Sequence, residues 1–298
     1  MDKILILNYM NMKKILKTFG YTILLLAVYM ALQGIFSIIP AIIYIVKGVK
    51  DGTVAIDEIS SVTEMMGVNA SSEMVQGTVN ALAWGLLLSS VAMLLFLHFC
   101  RFYRLKRSML TSVPRRPLVL SVLLVFASMF ALNILVQCFS LENILEVQFD
   151  ALSHTFVGAI TISVFAPLLE EVLFRGAIQG YMMRHFKPWT AIICSALVFG
   201  LIHMNPVQVV YATLLGVIFG WIYYRTGSLL PVILGHVLNN SVATISLLLG
   251  FEEGSDMPLD TTDKILTALV FVVATVVAVK LVLMLNRELP AVAKEEEL

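Results

Sequence analysis

The stretch that decides the fold is residues 157–183, which read VGAITISVFAPLLEEVLFRGAIQGYMM. It is apolar over a length that can cross a bilayer, since a membrane-spanning helix needs about 20 such residues. Three ionisable residues interrupt it: Glu170, Glu171 and Arg175. An ionised side chain at that depth is costly unless it is paired or lines a wet cavity, so these residues indicate a functional site.

The rest of the chain is also apolar. Of its 298 residues 59% are hydrophobic and 13% are charged, and the mean hydropathy is +0.91, which is typical of a membrane protein. The net charge is zero, so no basic excess favours nucleic-acid binding. Cys100, Cys138 and Cys194 lie in or beside apolar runs without metal or disulfide spacing, and we interpret them as buried thiols.

Apolar runs of this kind recur along the chain and predict an all-α, polytopic membrane protein. We expect about eight transmembrane helices with a polar active-site cavity inside the bundle. The predicted spans are 18–46, 79–99, 117–139, 154–183, 188–204, 207–224, 228–249 and 265–285.

The charged residues between the spans predict the orientation. Basic residues fall on one set of loops: Arg101, Arg104, Lys106, Arg107, Arg115, Arg116, Arg184, Lys187 and Arg225. Acidic residues fall on the other: Asp57, Glu58, Glu64, Glu73, Glu142, Glu146, Asp150, Glu252, Glu253, Asp256 and Asp260. Because basic loops stay in the cytoplasm, both termini are predicted to be cytoplasmic. We expect a bacterial plasma membrane, with a eukaryotic endomembrane as the alternative.

Helical spacing divides the acidic motif into two parts. Residues four apart share a helix face, so Glu171 and Arg175 are predicted to form an ion pair along one stripe. Glu170 points elsewhere and is available for chemistry.

Two histidines and an asparagine in later spans accompany the acidic motif. His203 follows Phe199 by four residues, and His236 precedes Asn240 by four. At about 1.5 Å per residue, these groups and Glu170 come out at similar depths in the bundle. We therefore expect them to meet in one cavity.

The three motifs together resemble a known family. E-E-x-x-x-R, F-x-x-x-H and H-x-x-x-N, in this order on successive apolar helices, are similar to the motifs of the CAAX-protease and bacteriocin-processing (CPBP, or Abi) intramembrane proteases, which include the Ras-converting CAAX endopeptidase. The resemblance implies a catalytic core at residues 151–250. Residues 1–150 then form three N-terminal membrane helices with their loops, and residues 251–298 the final helix and a cytoplasmic tail.

The resemblance also implies an enzyme, an intramembrane endopeptidase, and a role for each motif residue. Glu170 and His203 would activate a water, since a carboxylate held away from water is a good proton acceptor. His236 and Asn240 would form the oxyanion hole, to which N–H donors are suited. The resemblance gives the remaining two catalytic-motif residues, Glu171 and Arg175, a supporting role.

A zinc-dependent version of the same protease is the main rival. Two histidines and two glutamates could bind zinc, but H-E-x-x-H is missing and asparagine is a poor zinc ligand. We therefore expect no cofactor, with zinc as the alternative.

The expected partners are the lipid bilayer and a membrane-associated peptide or protein substrate. Two other functions stay open: a non-catalytic peptide-binding or immunity membrane protein, and a transporter that uses the acidic pair for proton coupling.

Overall fold

The computed structural model of the protein describes residues 2–51, 73–103, 113–250 and 261–289. For residues 2–11 and 73–75 it describes the backbone alone. The predictions made for the acidic residues of 52–72 and 251–260, and for Arg104, Lys106 and Arg107, lie outside the described residues.

Within these ranges all regular secondary structure is helical, and there is no β-strand. The helices are α1 (Asp2–Gln33), α2 (Ile39–Lys50), α3 (Glu73–Phe99), α4 (Arg115–Gln137), α5 (Glu146–Ser153), α6 (Phe156–Ile160), α7 (Ala166–Glu171), α8 (Gly180–Met183), α9 (Pro188–Leu201), α10 (Pro206–Thr226), α11 (Leu230–Leu248) and α12 (Thr261–Glu288).

Wider π-helical turns join several of these helices end to end. Gly34–Ile38 joins α1 to α2. Thr161–Phe165 and Val172–Gln179 join α6, α7 and α8 into one continuous helix, Phe156–Met183, which we call the core helix.

Seven helical stretches of the described chain are long and apolar enough to cross a membrane. They are Met12–Lys50, Gln76–Phe99, Arg115–Gln137, Phe156–Met183, Pro206–Thr226, Leu230–Leu248 and Thr261–Glu288. The prediction of an all-α, multi-pass membrane protein is confirmed. The predicted span 188–204 differs, because α9 has only 14 residues. At 1.5 Å per residue it is about 21 Å long, shorter than a hydrocarbon core of about 30 Å.

The core helix lies at the centre of the bundle. It contacts α1, α3, α9, α10 and α11, while α12 packs on the outside against α4. Every residue from Glu171 to Gln179 is buried. Burial of about two helical turns that contain Glu171 and Arg175 requires polar partners, which come from the core helix itself and from the surrounding helices.

Large apolar side chains cover the outside of the bundle. On α12 the exposed residues include Ile265, Leu266, Leu269, Val272 and Val273, as expected for a face in contact with lipid. Cys100, Cys138 and Cys194 are exposed as well. The prediction of buried thiols was wrong, because the helices of a membrane bundle are apolar on their outward faces too.

One end of the bundle collects the basic residues. Arg116 at the start of α4 pairs with Glu288 at the end of α12 at 3.0 Å. Tyr21 on α1 donates to the carbonyl of Phe102, just after α3, and stacks on Tyr181 near the end of the core helix. These contacts bring the predicted basic loops to one side, which we call the basic end.

Candidate active site

The first π-helical segment and a proline shape the core helix just before the acidic pair. The N–H of Ala166 donates to the carbonyl of Thr161, five residues earlier. In this register the carbonyl of Ile162 would accept from residue 167, which is proline and has no N–H. The side chain of Asn240 replaces that donor, because its Nδ2 donates to the Ile162 oxygen at 2.9 Å. One N–H of Asn240 is therefore committed to the core helix.

A chain of polar side chains fixes the orientation of Asn240. Its Oδ1 accepts from Asn239 Nδ2 at 3.1 Å, and Asn239 Oδ1 accepts from the Tyr211 hydroxyl at 2.6 Å. Thr244 donates to the Asn240 carbonyl and accepts from Ser163 of the π-helical segment. The sequence analysis missed these residues, although polar residues next to Asn240 in an apolar span were a signal.

The ion pair expected between Glu171 and Arg175 is present and fully buried. Arg175 Nη1 lies 3.0 Å from Glu171 Oε1, and Nη2 donates to the carbonyl of Gly216 at 3.2 Å. The guanidinium lies 4.3 Å from the ring centre of Phe199 and 5.2 Å from that of Phe219. Ring faces attract cations, so the two rings hold the guanidinium in addition to the hydrogen bonds of Nη1 and Nη2, while Nε has no hydrogen-bond partner among the described residues.

Two glycines on α10, which have no side chain, allow this helix to lie close to the core helix. A Cβ added at Gly216 would lie 3.1 Å from Arg175 Nη2, and one added at Gly220 would lie 2.8 Å from Gln179 Oε1. One turn along, Gln179 repeats the arrangement by donating to the Gly220 carbonyl at 2.9 Å. The sequence analysis gave Gln179 no role. Two features of the sequence could have indicated a role for Gln179: it is polar and follows Arg175 by four residues, and α10 carries a G-x-x-x-G pair.

His236 lies between the two glutamates. Its Nδ1 is 2.7 Å from Glu171 Oε1, and its Nε2 is 3.6 Å from Glu170 Oε2. An ionised carboxylate only accepts hydrogen bonds, so Nδ1 carries a proton and donates it to Glu171. The site thus brings together Glu170, Glu171, Arg175 and His236, four of the six predicted residues, through direct polar contacts.

The two carboxylates differ in their surroundings. The side chain of Glu171 is 0% exposed and is bound by both Arg175 and His236, whereas that of Glu170 is 13% exposed. Within the described part of the chain, no arginine or lysine forms an ion pair with Glu170. Glu170 is therefore the carboxylate that a small molecule such as water can reach.

His203 lies in the turn after α9, not inside a span as predicted. The helix ends at Leu201, and Met204 has a φ of 51°. The imidazole Nδ1 donates to the carbonyl of Phe199 at 2.8 Å, which leaves Nε2 as an acceptor in the neutral ring. No hydrogen bond or ion pair joins His203 to Glu170 among the described residues.

Phe199 connects the second histidine to the rest of the site. Its buried ring is perpendicular to His203, with ring centres 5.0 Å apart, and perpendicular to His236 at 5.8 Å. The same ring contacts Arg175. His203 and His236 thus both contact one aromatic side chain.

Asn205 anchors the turn that carries His203. It is fully buried, its Oδ1 accepts from the N–H of Ile144, and its Nδ2 donates to Asn143 at 2.8 Å. Irregular backbone inside a membrane protein needs its polar groups satisfied by protein. Asn205 supplies this, and the sequence analysis did not single it out.

The polar groups of the site could in principle hold a metal ion. Among the residues that the structure describes, no three His, Cys, Asp or Glu side chains are grouped so that they could hold a metal ion. Both ring nitrogens of His236 face carboxylates instead: Nδ1 faces Glu171, and Nε2 faces Glu170.

Comparisons with known proteins give one family and one curated relative that are similar to part of this chain. The family described as type II CAAX prenyl endopeptidase Rce1-like matches residues 152–242. A Bacillus subtilis (strain 168) protein named "Putative membrane peptidase YdiL" is 29% identical over 96 residues, which cover 32% of this chain and 39% of that protein. The chain thus spans about two fifths of the curated relative that it matches. No solved structure matches it significantly.

Proposed function

We propose that this protein is a membrane peptidase that hydrolyses a peptide bond of a membrane-associated peptide or protein, because residues 152–242 match the type II CAAX prenyl endopeptidase Rce1-like family. The observation that carries the proposal is the contrast between the two adjacent glutamates. Glu171 is neutralised by Arg175 and closed off, while Glu170 keeps a partly exposed carboxylate next to His236.

Glu170 is the proposed general base. It takes a proton from a water molecule while the water oxygen attacks the carbonyl carbon of the peptide bond. The tetrahedral intermediate then collapses, the C–N bond breaks, and Glu170 returns the proton to the leaving amine. One water is consumed and no other reactant is needed.

His236 is the proposed first donor to the oxyanion. Its Nδ1 is tied to Glu171, so the ring is fixed and Nε2 faces the same space as Glu170 Oε2. Because Nδ1 already carries a proton, Nε2 can donate to a carbonyl oxygen in this space only when the ring is an imidazolium, whose charge the carboxylates of Glu170 and Glu171 offset. Glu171 and Arg175 act through His236, as the pair that orients and balances it.

Asn240 is the proposed second donor. One of its N–H groups is committed to the Ile162 carbonyl, and the other is available for substrate. The hydrogen bonds from Asn239 and to Ile162 hold the amide in one orientation, as an oxyanion donor requires.

His203 is proposed to direct the attacking water. Its Nδ1 donates to the carbonyl of Phe199, which leaves Nε2 to accept a hydrogen bond from the water that Glu170 deprotonates. No hydrogen bond or ion pair joins His203 to Glu170 or His236 among the described residues, so a water or the substrate would connect them.

The test is a cleavage assay on the full chain in proteoliposomes. A panel of membrane-anchored peptides, with and without a prenyl group near the C-terminus, is incubated with the wild type, and the product termini are read by mass spectrometry. We expect cleavage by the wild type and by Glu142→Gln, the same change at an exposed glutamate, but not by Glu170→Gln. Equal cleavage by both variants would overturn the assignment, and binding without cleavage by the wild type would favour a peptide-binding protein.

A further inference from the structure

A cavity at the basic end of the bundle lies outside the candidate active site. It has a volume of about 250 Å³. Its walls come from α1, from the turn after α3 and from the end of the core helix, with Tyr21, Phe102 and Tyr181 as the aromatic part. The rings of Tyr21 and Tyr181 stack at 4.1 Å with 12° between their planes, so this wall is rigid.

Two arginines complete the lining. Arg101 and Arg184 are exposed, and neither forms an ion pair with a carboxylate among the described residues. Arg101 has a φ of 61°, a left-handed conformation that non-glycine residues rarely adopt. Lys17, one turn before Tyr21 on α1, adds a third exposed cation to the same end. In the part of the chain that the structure describes, the cavity therefore has a positive lining without a compensating acid.

The position of the cavity relative to the bilayer indicates which class of ligand it binds. Cys100 and Arg184 stand at the ends of membrane-spanning helices, where tyrosine and arginine side chains meet the headgroup layer. On α1, Leu24 follows Tyr21 by three residues, so it lies on the same side of the helix, and its apolar side chain is exposed. A ligand with a negative head and apolar chains can place the head between the arginines and the chains along α1. Basic pockets between membrane helices bind anionic lipid headgroups in this way.

We propose that this cavity binds the phosphate group of an anionic phospholipid. Two guanidinium groups can form paired, charge-assisted hydrogen bonds with phosphate oxygens, which a single positive point charge does not provide. The tyrosine pair forms the boundary between the headgroup and the acyl chains. The site is separate from the acidic pair, so the proposal does not depend on the peptidase activity.

The test measures thermal stabilisation of the purified full chain in detergent. The probes are short-chain phosphatidylglycerol, short-chain phosphatidylcholine and inorganic phosphate, each titrated against the wild type. A ligand that binds the folded state raises the melting temperature in proportion to its affinity. We expect phosphatidylglycerol to stabilise the protein far more than the other two probes do.

Two double variants decide whether the cavity is responsible. Arg101→Ala/Arg184→Ala is expected to weaken phosphatidylglycerol binding about tenfold or more, as loss of charge-assisted hydrogen bonds implies. Arg115→Ala/Arg287→Ala removes two exposed arginines at the same end but outside the cavity, and its binding should match the wild type. The melting temperature without lipid reports whether each variant folds.

Three results would overturn the proposal. If phosphatidylcholine stabilised the protein as much as phosphatidylglycerol does, the cavity would not select for a net negative charge on the lipid. If phosphatidylglycerol binding weakened equally in both double variants, the lipid would bind elsewhere at the basic end. Inorganic phosphate that binds as tightly as the lipid would identify a soluble phosphate as the ligand and reject the lipid.

Discussion

Replacing Arg175 with alanine should destabilise the protein severely, and the structure allows the size of the effect to be estimated. Glu171 would keep its full burial and lose the arginine at 3.0 Å, while the carbonyl of Gly216 would lose its donor. Removing one partner of a buried ion pair costs about 3–5 kcal/mol, because the other charge remains without compensation. We expect Arg175→Ala to lower the free energy of unfolding by that amount.

The chain offers a matched control for this prediction. Arg116 and Glu288 are also 3.0 Å apart, but the Arg116 side chain is 69% exposed. A surface pair contributes about 0–1 kcal/mol, so Arg116→Ala should change stability little. A further variant, Arg175→Ala with Glu171→Gln, removes the stranded charge and should recover a large part of the loss.

Reversible unfolding in mixed detergent micelles measures all three variants, with helicity as the signal. The expected order of stability is Arg116→Ala, then the double variant, then Arg175→Ala. A loss in Arg175→Ala that is no larger than in Arg116→Ala would refute the reasoning, since burial would then have no effect on the value of the pair. A double variant as unstable as the single one would show that packing of the arginine, not the charge of Glu171, dominates.

Three further predictions follow from the packing around the acidic pair. Gly216→Ala should cost about 1–3 kcal/mol in the same unfolding assay by pushing α10 from the arginine, whereas Gly20→Ala, with open space around it, should be neutral or stabilising. Asn240→Ala should cost about 1–3 kcal/mol by leaving a buried carbonyl unpaired. The cost should shrink in a Pro167→Ala background, whose restored N–H can pair with that carbonyl, and additive losses would contradict this. His236→Ala should slow peptide cleavage by about 10²–10³-fold while the protein stays folded, and a turnover close to that of the wild type would exclude it as a donor.

The sequence was sufficient for the fold class and for the central contact of the site. Hydropathy located the seven long spans because lipid imposes a minimum length on apolar helices. Helical spacing predicted the Glu171–Arg175 pair because residues four apart share a face whatever surrounds them. These features depend on short-range geometry or on the solvent, and both can be read from one sequence.

Features that depend on packing between helices were not predictable in this way. The early end of α9 moved His203 from a span into a turn, and that turn is held by Asn205 through a segment about 60 residues away in the chain. The π-helical register that commits Asn240 to Ile162 arises from a proline and a partner on another helix. Periodicity assumes regular α-helices, so it could not reveal either feature.

The role of Glu170 as the base is tested most directly by the single-turnover cleavage rate of Glu170→Gln in proteoliposomes. The wild type and Glu142→Gln are measured beside it, and the metal content of the same samples is determined. The account predicts cleavage by the wild type and Glu142→Gln without stoichiometric metal, and no measurable cleavage by a folded Glu170→Gln. Near-normal cleavage by Glu170→Gln would contradict its role as the base. If the protein held one metal ion per chain, and if activity were lost on its removal and restored on its return, the mechanism would be metal-dependent and not the one proposed for Glu170.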